Sequence, residues 1–250
     1  MNHLMRWSTL PGLLALAGCL LGCPGGGCTR PPLPPDQVTR TLEPFTLTVN
    51  AGTGTITVAQ GSLELALLHV SDVGVGTGRA SYEMQYGMFD VQESAGDWQV
   101  PTQLEITDNA LLGIGDIAFA LKAADGTELV RGSVGATSEG KATITLGARG
   151  LHNRVRAAVA CQPTDHFNGL GAQTHDVDHR GQHVPLWVSE QGIGKTDDDA
   201  LPVVWQLTGR RHSTHIPIPA VVVSRGTAWL MDTTAFGDGP VRCAGRQGAV

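Results

Sequence analysis

Short runs in which apolar and polar side chains alternate, cut apart by glycine, constrain this chain more than any other feature. Thr46-Leu47-Thr48-Val49, Thr55-Ile56-Thr57-Val58 and Leu63-Glu64-Leu65-Ala66-Leu67 have the period of two that puts one face of a strand in a core and the other toward solvent. Gly52-Thr53-Gly54 and Gln60-Gly61 punctuate them. The stretch from Tyr82 to Val91, then Ile117 to Lys122, Thr143-Ile144-Thr145-Leu146 and Arg154-Val155-Arg156-Ala157, continues the pattern. Asp125-Gly126 before Glu128-Leu129-Val130 predicts a hairpin, because glycine takes a positive φ without strain. No segment has the apolar spacing of an amphipathic helix of three turns. Many short strands at fairly even spacing predict an all-β fold, an antiparallel β-sandwich.

The first residues have a different character. Arg6 precedes an apolar run from Trp7 to Ala17, too short to span a bilayer and of the form of a secretory signal. Leu16-Ala17-Gly18-Cys19 then resembles the lipobox of bacterial lipoproteins, with Cys19 the residue to be lipidated; Leu20-Leu21-Gly22-Cys23 is a second, weaker match. The expected location is the bacterial cell envelope, across the inner membrane and anchored by lipid at the outer membrane. An unlipidated signal would also lead out of the cytoplasm. Gly25-Gly26-Gly27 and Pro31-Pro32-Leu33-Pro34-Pro35 cannot pack a core and predict a tether. The expected organisation is a signal at 1–18, a tether at 19–40, a sandwich domain at 41–235 and a tail at 236–250 with no strand or helix pattern, unstructured or read out of frame.

Charge and cysteine usage exclude several function classes. A formal charge of −6, with no basic stripe, argues against nucleic acid as a partner. No Cys-x-x-Cys pair occurs, so a zinc ribbon and a thioredoxin-type redox site are poor readings, and no cofactor is expected. Cys161 could pair with Cys243 in an oxidising compartment or remain a buried thiol in an apolar strand.

The most distinctive stretch runs from His166 to Gly192. Phe167, Gly169, Leu170, Gly171, Gln173, Arg180, Gly181, Leu186 and Trp187, followed by Glu190-Gln191-Gly192, resemble the segment preceding the catalytic barrel in α-glycosidases of glycoside hydrolase family 31. Val155 to Cys161 reads as the strand entering the motif. Pro217-Ile218-Pro219, Val221-Val222-Val223-Ser224-Arg225-Gly226 and Ala228-Trp229-Leu230-Met231-Asp232-Thr233 match the family's strand, tight turn and strand. The family usually has an acidic residue after the second glycine, where this chain has Ala172. The resemblance implies a galactose-mutarotase-like N-terminal sandwich, and an α-glycoside as the carbohydrate partner of the intact parent enzyme.

Glycoside hydrolysis takes two carboxyl groups at defined separation. The resemblance places both on a (β/α)8 barrel, which needs about 250 residues of its own. The matched region already fills the second half of this chain, so no catalytic residue is carried over. What the resemblance does imply is a supporting loop, with Glu190 and Gln191 as sugar-side contacts, Glu190 being readable equally as a solvated carboxylate and Trp187 as strand packing. His175, His179 and His183 are spaced by four, a ligand spacing on a helix. Gly181 and Pro185 make a helix improbable there, so no metal site is expected. Asp197-Asp198-Asp199 lacks the spaced calcium-loop pattern and reads as solvated loop, and Ser224-Arg225-Gly226 reads as a turn rather than a nucleophile elbow. Three functions fit: a domain supporting a glycosidase barrel and inactive alone, a stand-alone carbohydrate-binding surface lipoprotein, or a non-functional remnant.

Overall fold

A computed structural model of the chain describes residues 35–85, 88–107, 115–137, 139–189, 211–232 and 237–240. The chain divides into Met1–Leu33 and Pro34–Val250, and every described residue lies in the second unit. The signal, Cys19, Cys243, Glu190, Gln191 and the Asp197 to Asp199 run all lie outside the described residues.

The described residues form an all-β structure with antiparallel sheets and no α-helix; a 3-10 turn at Val70–Asp72 is their one helical element. The alternating runs give a meander of neighbours, β1 (Gln37–Leu42), β2 (Phe45–Asn50), β3 (Thr55–Gln60) and β4 (Leu63–His69). A second four-stranded meander contains β7 (Gln103–Ile106), β8 (Ile117–Lys122), β9 (Glu128–Thr137) and β10 (Lys141–Ala148). Between them in sequence, β5 (Val73–Gln85) and β6 (Met88–Gln99) make a long hairpin, and β11 (Arg154–Ala157) joins β5 on its other edge. The remaining strands carry the motif: β12 (Phe167–Gly169), β14 (Ala220–Val223) and β15 (Thr227–Leu230) form one sheet, β13 (His183–Leu186) and β16 (Gly237–Pro240) a ribbon.

The period of two becomes burial directly. On β2, Phe45, Leu47 and Val49 are buried while the intervening residues are half-buried, and the register sets Leu47 opposite Val58 and Val49 opposite Ile56. In the second meander Ile117 faces Val134, Leu121 faces Val130, and Leu104 and Ile106 complete the layer. These side chains, with Val73 and Val75 of β5, make one hydrophobic core shared by both meanders. Each fully buried aliphatic or aromatic side chain stabilises by about 1.5–3 kcal/mol. Gly132, opposite Phe119, leaves room for that ring: a Cβ there would stand 2.5 Å from Phe119 Cζ. Arg40 of β1 is buried and ties the first meander to the approach of β8, its Nη1 donating to the carbonyls of Gly115 and Asp116, each at 2.7 Å.

Four sequence expectations change. The first strand begins at Gln37, inside the stretch assigned to the 19–40 tether, because Val38, Arg40 and Leu42 pair with β2. Tyr82 to Val91 is not one strand: Tyr82 pairs with Val91 and Gln85 with Met88, so the chain reverses within it. The strand expected to run from Val155 to Cys161 ends at Ala157. Gly237–Pro240, within the stretch assigned as an unstructured tail, pairs with β13 as β16. A strand made of Gly, Asp and Pro has no side-chain alternation to betray it.

Candidate functional site

The motif is folded around backbone contacts that only its glycines allow. Gly169 has φ +115° and Gly171 φ +97°, and an added Cβ would lie 2.6 Å from the Ala220 carbonyl oxygen or 2.0 Å from that of Ile216. The chain therefore turns tightly against the segment returning through Pro217 into β14 at Ala220, and Leu170, at φ +61°, is buried between the two glycines. Phe167 is buried on β12 opposite Val223. The Ala172 side chain, standing where the resemblance expects an acid, is exposed, but its backbone is engaged twice. Its N–H donates to Ile216 O (3.0 Å) and its carbonyl accepts from Thr214 Oγ1 (3.0 Å).

Asp178 is the hub of the motif. One carboxylate oxygen accepts the N–H groups of Phe167 (3.0 Å) and Arg180 (3.1 Å), and the other meets His166 Nδ1 at 2.7 Å. These bonds, led by the Phe167 N–H and opposed by burial, hold its pKa down at about 2. Arg180 donates from Nη1 to the Pro163 carbonyl, while its Nε and Nη2 are buried with no hydrogen-bond partner. Gly181, at φ +77°, closes a turn in which the Gln182 N–H donates to His179 O (3.0 Å). Trp187 is half-buried just beyond β13.

The histidines group differently from their spacing. His183 lies exposed on β13, whereas His175 and His179 converge on His212, each with ring centroids 6.1 Å from it. His179 and His212 are 1% and 4% exposed. His179 Nε2 donates to Gly169 O (3.0 Å) and His212 Nε2 to Gln182 Oε1 (3.0 Å), and each Nδ1 is buried without a partner. Burial, then His179 and Arg211, push the His212 pKa down; Asp176, paired with Arg211 at 3.3 Å, works in the other direction. Among the described residues no three His, Cys, Asp or Glu side chains are set to hold a metal. The sequence missed His212 because nothing local links it to His175 and His179 across a gap of more than thirty residues. It missed Asp178 as hub because a loop carboxylate accepting backbone N–H groups leaves no periodic trace.

His212 stands beside a strap that spans the motif. Thr214, fully buried, bridges in parallel to Val188, and its carbonyl accepts the Ser189 N–H at 2.9 Å. Val188 O in turn accepts the Phe89 N–H of β6 (2.9 Å). The chain after Ser189, with Glu190 and Gln191, continues outside the described residues. Ser224-Arg225-Gly226 is a turn, as expected: the Gly226 N–H donates to Val223 O (2.9 Å) and the Ser224 hydroxyl accepts the His166 N–H (3.0 Å). Arg225 faces buried Asp165, Nε to Oδ2 3.6 Å. Cys161 is in a disulfide, which removes the free-thiol reading; it is the one cysteine among the described residues, so its partner lies outside them.

No family model matches the chain. The sulfoquinovosidase of Escherichia coli (strain K12) is 29% identical over 183 residues, covering 69% of this chain and 26% of that protein. Over those residues the chain is similar to a sulfoquinovosidase. The sulfoquinovosidase of Agrobacterium fabrum (strain C58) is 30% identical over 88 residues, 34% of this chain and 13% of that protein. A family 31 sulfoquinovosidase from E. rectale, solved in complex with an aza-sugar inhibitor, shares the fold. Its TM-score is 0.59 at 21% identity, over 77% of this chain and 28% of that one. The chain thus spans about a quarter of the length of the Escherichia coli sulfoquinovosidase (26%).

Proposed function

We propose that this chain is a galactose-mutarotase-like β-sandwich domain of a family 31 α-glycosidase, supporting a catalytic barrel and shaping its sugar site. The observation that carries the reading is the likeness to the Escherichia coli sulfoquinovosidase over 183 residues. The core shared by the two four-stranded meanders supports the sandwich, since two sheets that bury one face each against the other are the stable solution for such patterns. Glu190 and Gln191, following Ser189, are the residues assigned to the sugar, as side chains that can hydrogen-bond its hydroxyls. Sulfoquinovosides are the substrate class, because the curated relatives are sulfoquinovosidases. The reading assigns no catalytic acid or nucleophile to these residues, and with it goes the expectation that they do not hydrolyse a glycoside by themselves.

The test is to incubate the purified chain with a chromogenic α-sulfoquinovoside and, separately, to titrate it calorimetrically with sulfoquinovose. The expected result is no hydrolysis, with any heat of binding lost in Gln191→Ala. Hydrolysis by the chain alone overturns the reading. Saturable binding that survives both Glu190→Ala and Gln191→Ala points instead to a stand-alone carbohydrate-binding lipoprotein with a different site. Anchoring is proposed through Cys19 in the cell envelope. Metabolic labelling with a fatty acid should mark the chain and be lost in Cys19→Ala.

A further inference from the structure

We propose that His212, packed against His175 and His179, is a proton-sensitive clasp, whose protonation frees the strap around Thr214 from the turn at Ala172 and from Val188 and Ser189. Two ring nitrogens there, Nδ1 of His179 and Nδ1 of His212, have nothing to bond. His179 and His212 each spend Nε2–H on an oxygen, Gly169 O and Gln182 Oε1, leaving Nδ1 as a bare acceptor in a buried space. A proton arriving at His212 Nδ1 makes a buried N–H with no acceptor on a ring that has become a cation. Both are costly in the interior.

The surroundings do not offset that cost. Among the described residues, the charged and titratable groups acting on His212 are His175, Asp176 and His179 from the loop, and Arg211 from its own segment. Three of the four are imidazoles or a guanidinium, and Asp176 is already paired with Arg211 at 3.3 Å. Burial depresses the His212 pKa, so below about 6.5, the ordinary imidazole value, an opened strap takes up a proton that the closed one refuses. The closed state therefore loses stability as pH falls through about 6.5, until it reaches the lower pKa of the folded site.

What opens is defined by the hydrogen bonds beside His212. Thr214 bonds Ala172 through its hydroxyl and Ser189 through its carbonyl, and Ile216 O receives the Ala172 N–H. These contacts hold the Gly169 to Ala172 turn and the segment after β13 in one arrangement. None belongs to the large core, so the strap can open while the two meanders stay folded.

The experiment is hydrogen exchange of the whole chain between pH 7.5 and 5, compared as protection factors so that intrinsic exchange rates cancel. Protection of the Ser189 and Ala172 amides should fall on acidification by about tenfold for each unit that His212 lies below the ordinary imidazole pKa. Phe119 of β8 should stay protected, and in His212→Gln, which cannot titrate, the pH dependence should vanish. The clasp is overturned if Ser189 and Ala172 keep their protection at pH 5, if β8 opens with them, or if His212→Gln retains the same pH dependence. Should that variant fail to fold, the imidazole resonances of the unaltered chain decide: a His212 pKa below 6.5 upholds the clasp and one at or above it overturns it.

Discussion

At Gly171 the fold depends on the absence of a single carbon. With φ at +97° and the Ile216 oxygen 2.0 Å from where a Cβ would be, Gly171→Ala combines backbone strain with a collision against main chain that has no rotamer to move. The expected loss is about 1–3 kcal/mol from strain alone, read as a lower denaturation midpoint. Asp178 shows the complementary case, in which a side chain serves backbone. Asp178→Ala leaves the Phe167 and Arg180 N–H groups without their acceptor and should cost about 1–3 kcal/mol by the same measurement. Because its pKa is held down at about 2 from 3.8, the stability it contributes is complete above 3.8 and fades as pH falls toward 2. Asp178→Asn, with an oxygen but no titration, should lack that acid limb in a pH series of thermal melts.

Among the elements, β8 and β9 show how closely a sheet can be fitted. Phe119 occupies the space over Gly132, so Gly132→Ala should overpack the core and destabilise by about 1–3 kcal/mol, whereas Gly140→Ala, with nothing within reach of its Cβ but a positive φ, tests strain alone. Calorimetry of the two variants separates crowding from backbone cost. The strands of both meanders were legible beforehand where one face is more buried than the other, buried against half-buried in β2 and β3 and half-buried against exposed in β10, since alternation is then written in the residues themselves. Legibility failed where pairing comes from backbone alone. Gly237–Pro240 has no alternation, and the reversal inside Tyr82 to Val91 sits between residues that are strand-like on both sides. The motif was visible as residues to keep, Phe167, Gly169, Gly171 and Arg180, while its hub Asp178 and its buried His212 were not. Their importance lies in what they meet across a turn or from a distant segment.

For the molecule as a whole, Cys161 adds a covalent tie between the described fold and a cysteine outside it. Reduction, or Cys161→Ser, should lower the free energy of unfolding by about 2–4 kcal/mol, seen as a fall in the urea midpoint of the oxidised protein when reductant is added. The sheet order carries a consequence for time as well as for stability. In β1 to β4 and again in β7 to β10 every strand pairs with its neighbour in sequence, so each meander closes only short loops. The pairings β5 with β11, β12 with β14 and β13 with β16 join strands far apart in the chain. Closing long loops is the slow part of acquiring structure. Pulse-labelled exchange during refolding should find the amides of β2 and β8 protected before those of β12 and β13. The glycine turns and the histidine strap would then be the last parts of the chain to assemble, on a scaffold already complete.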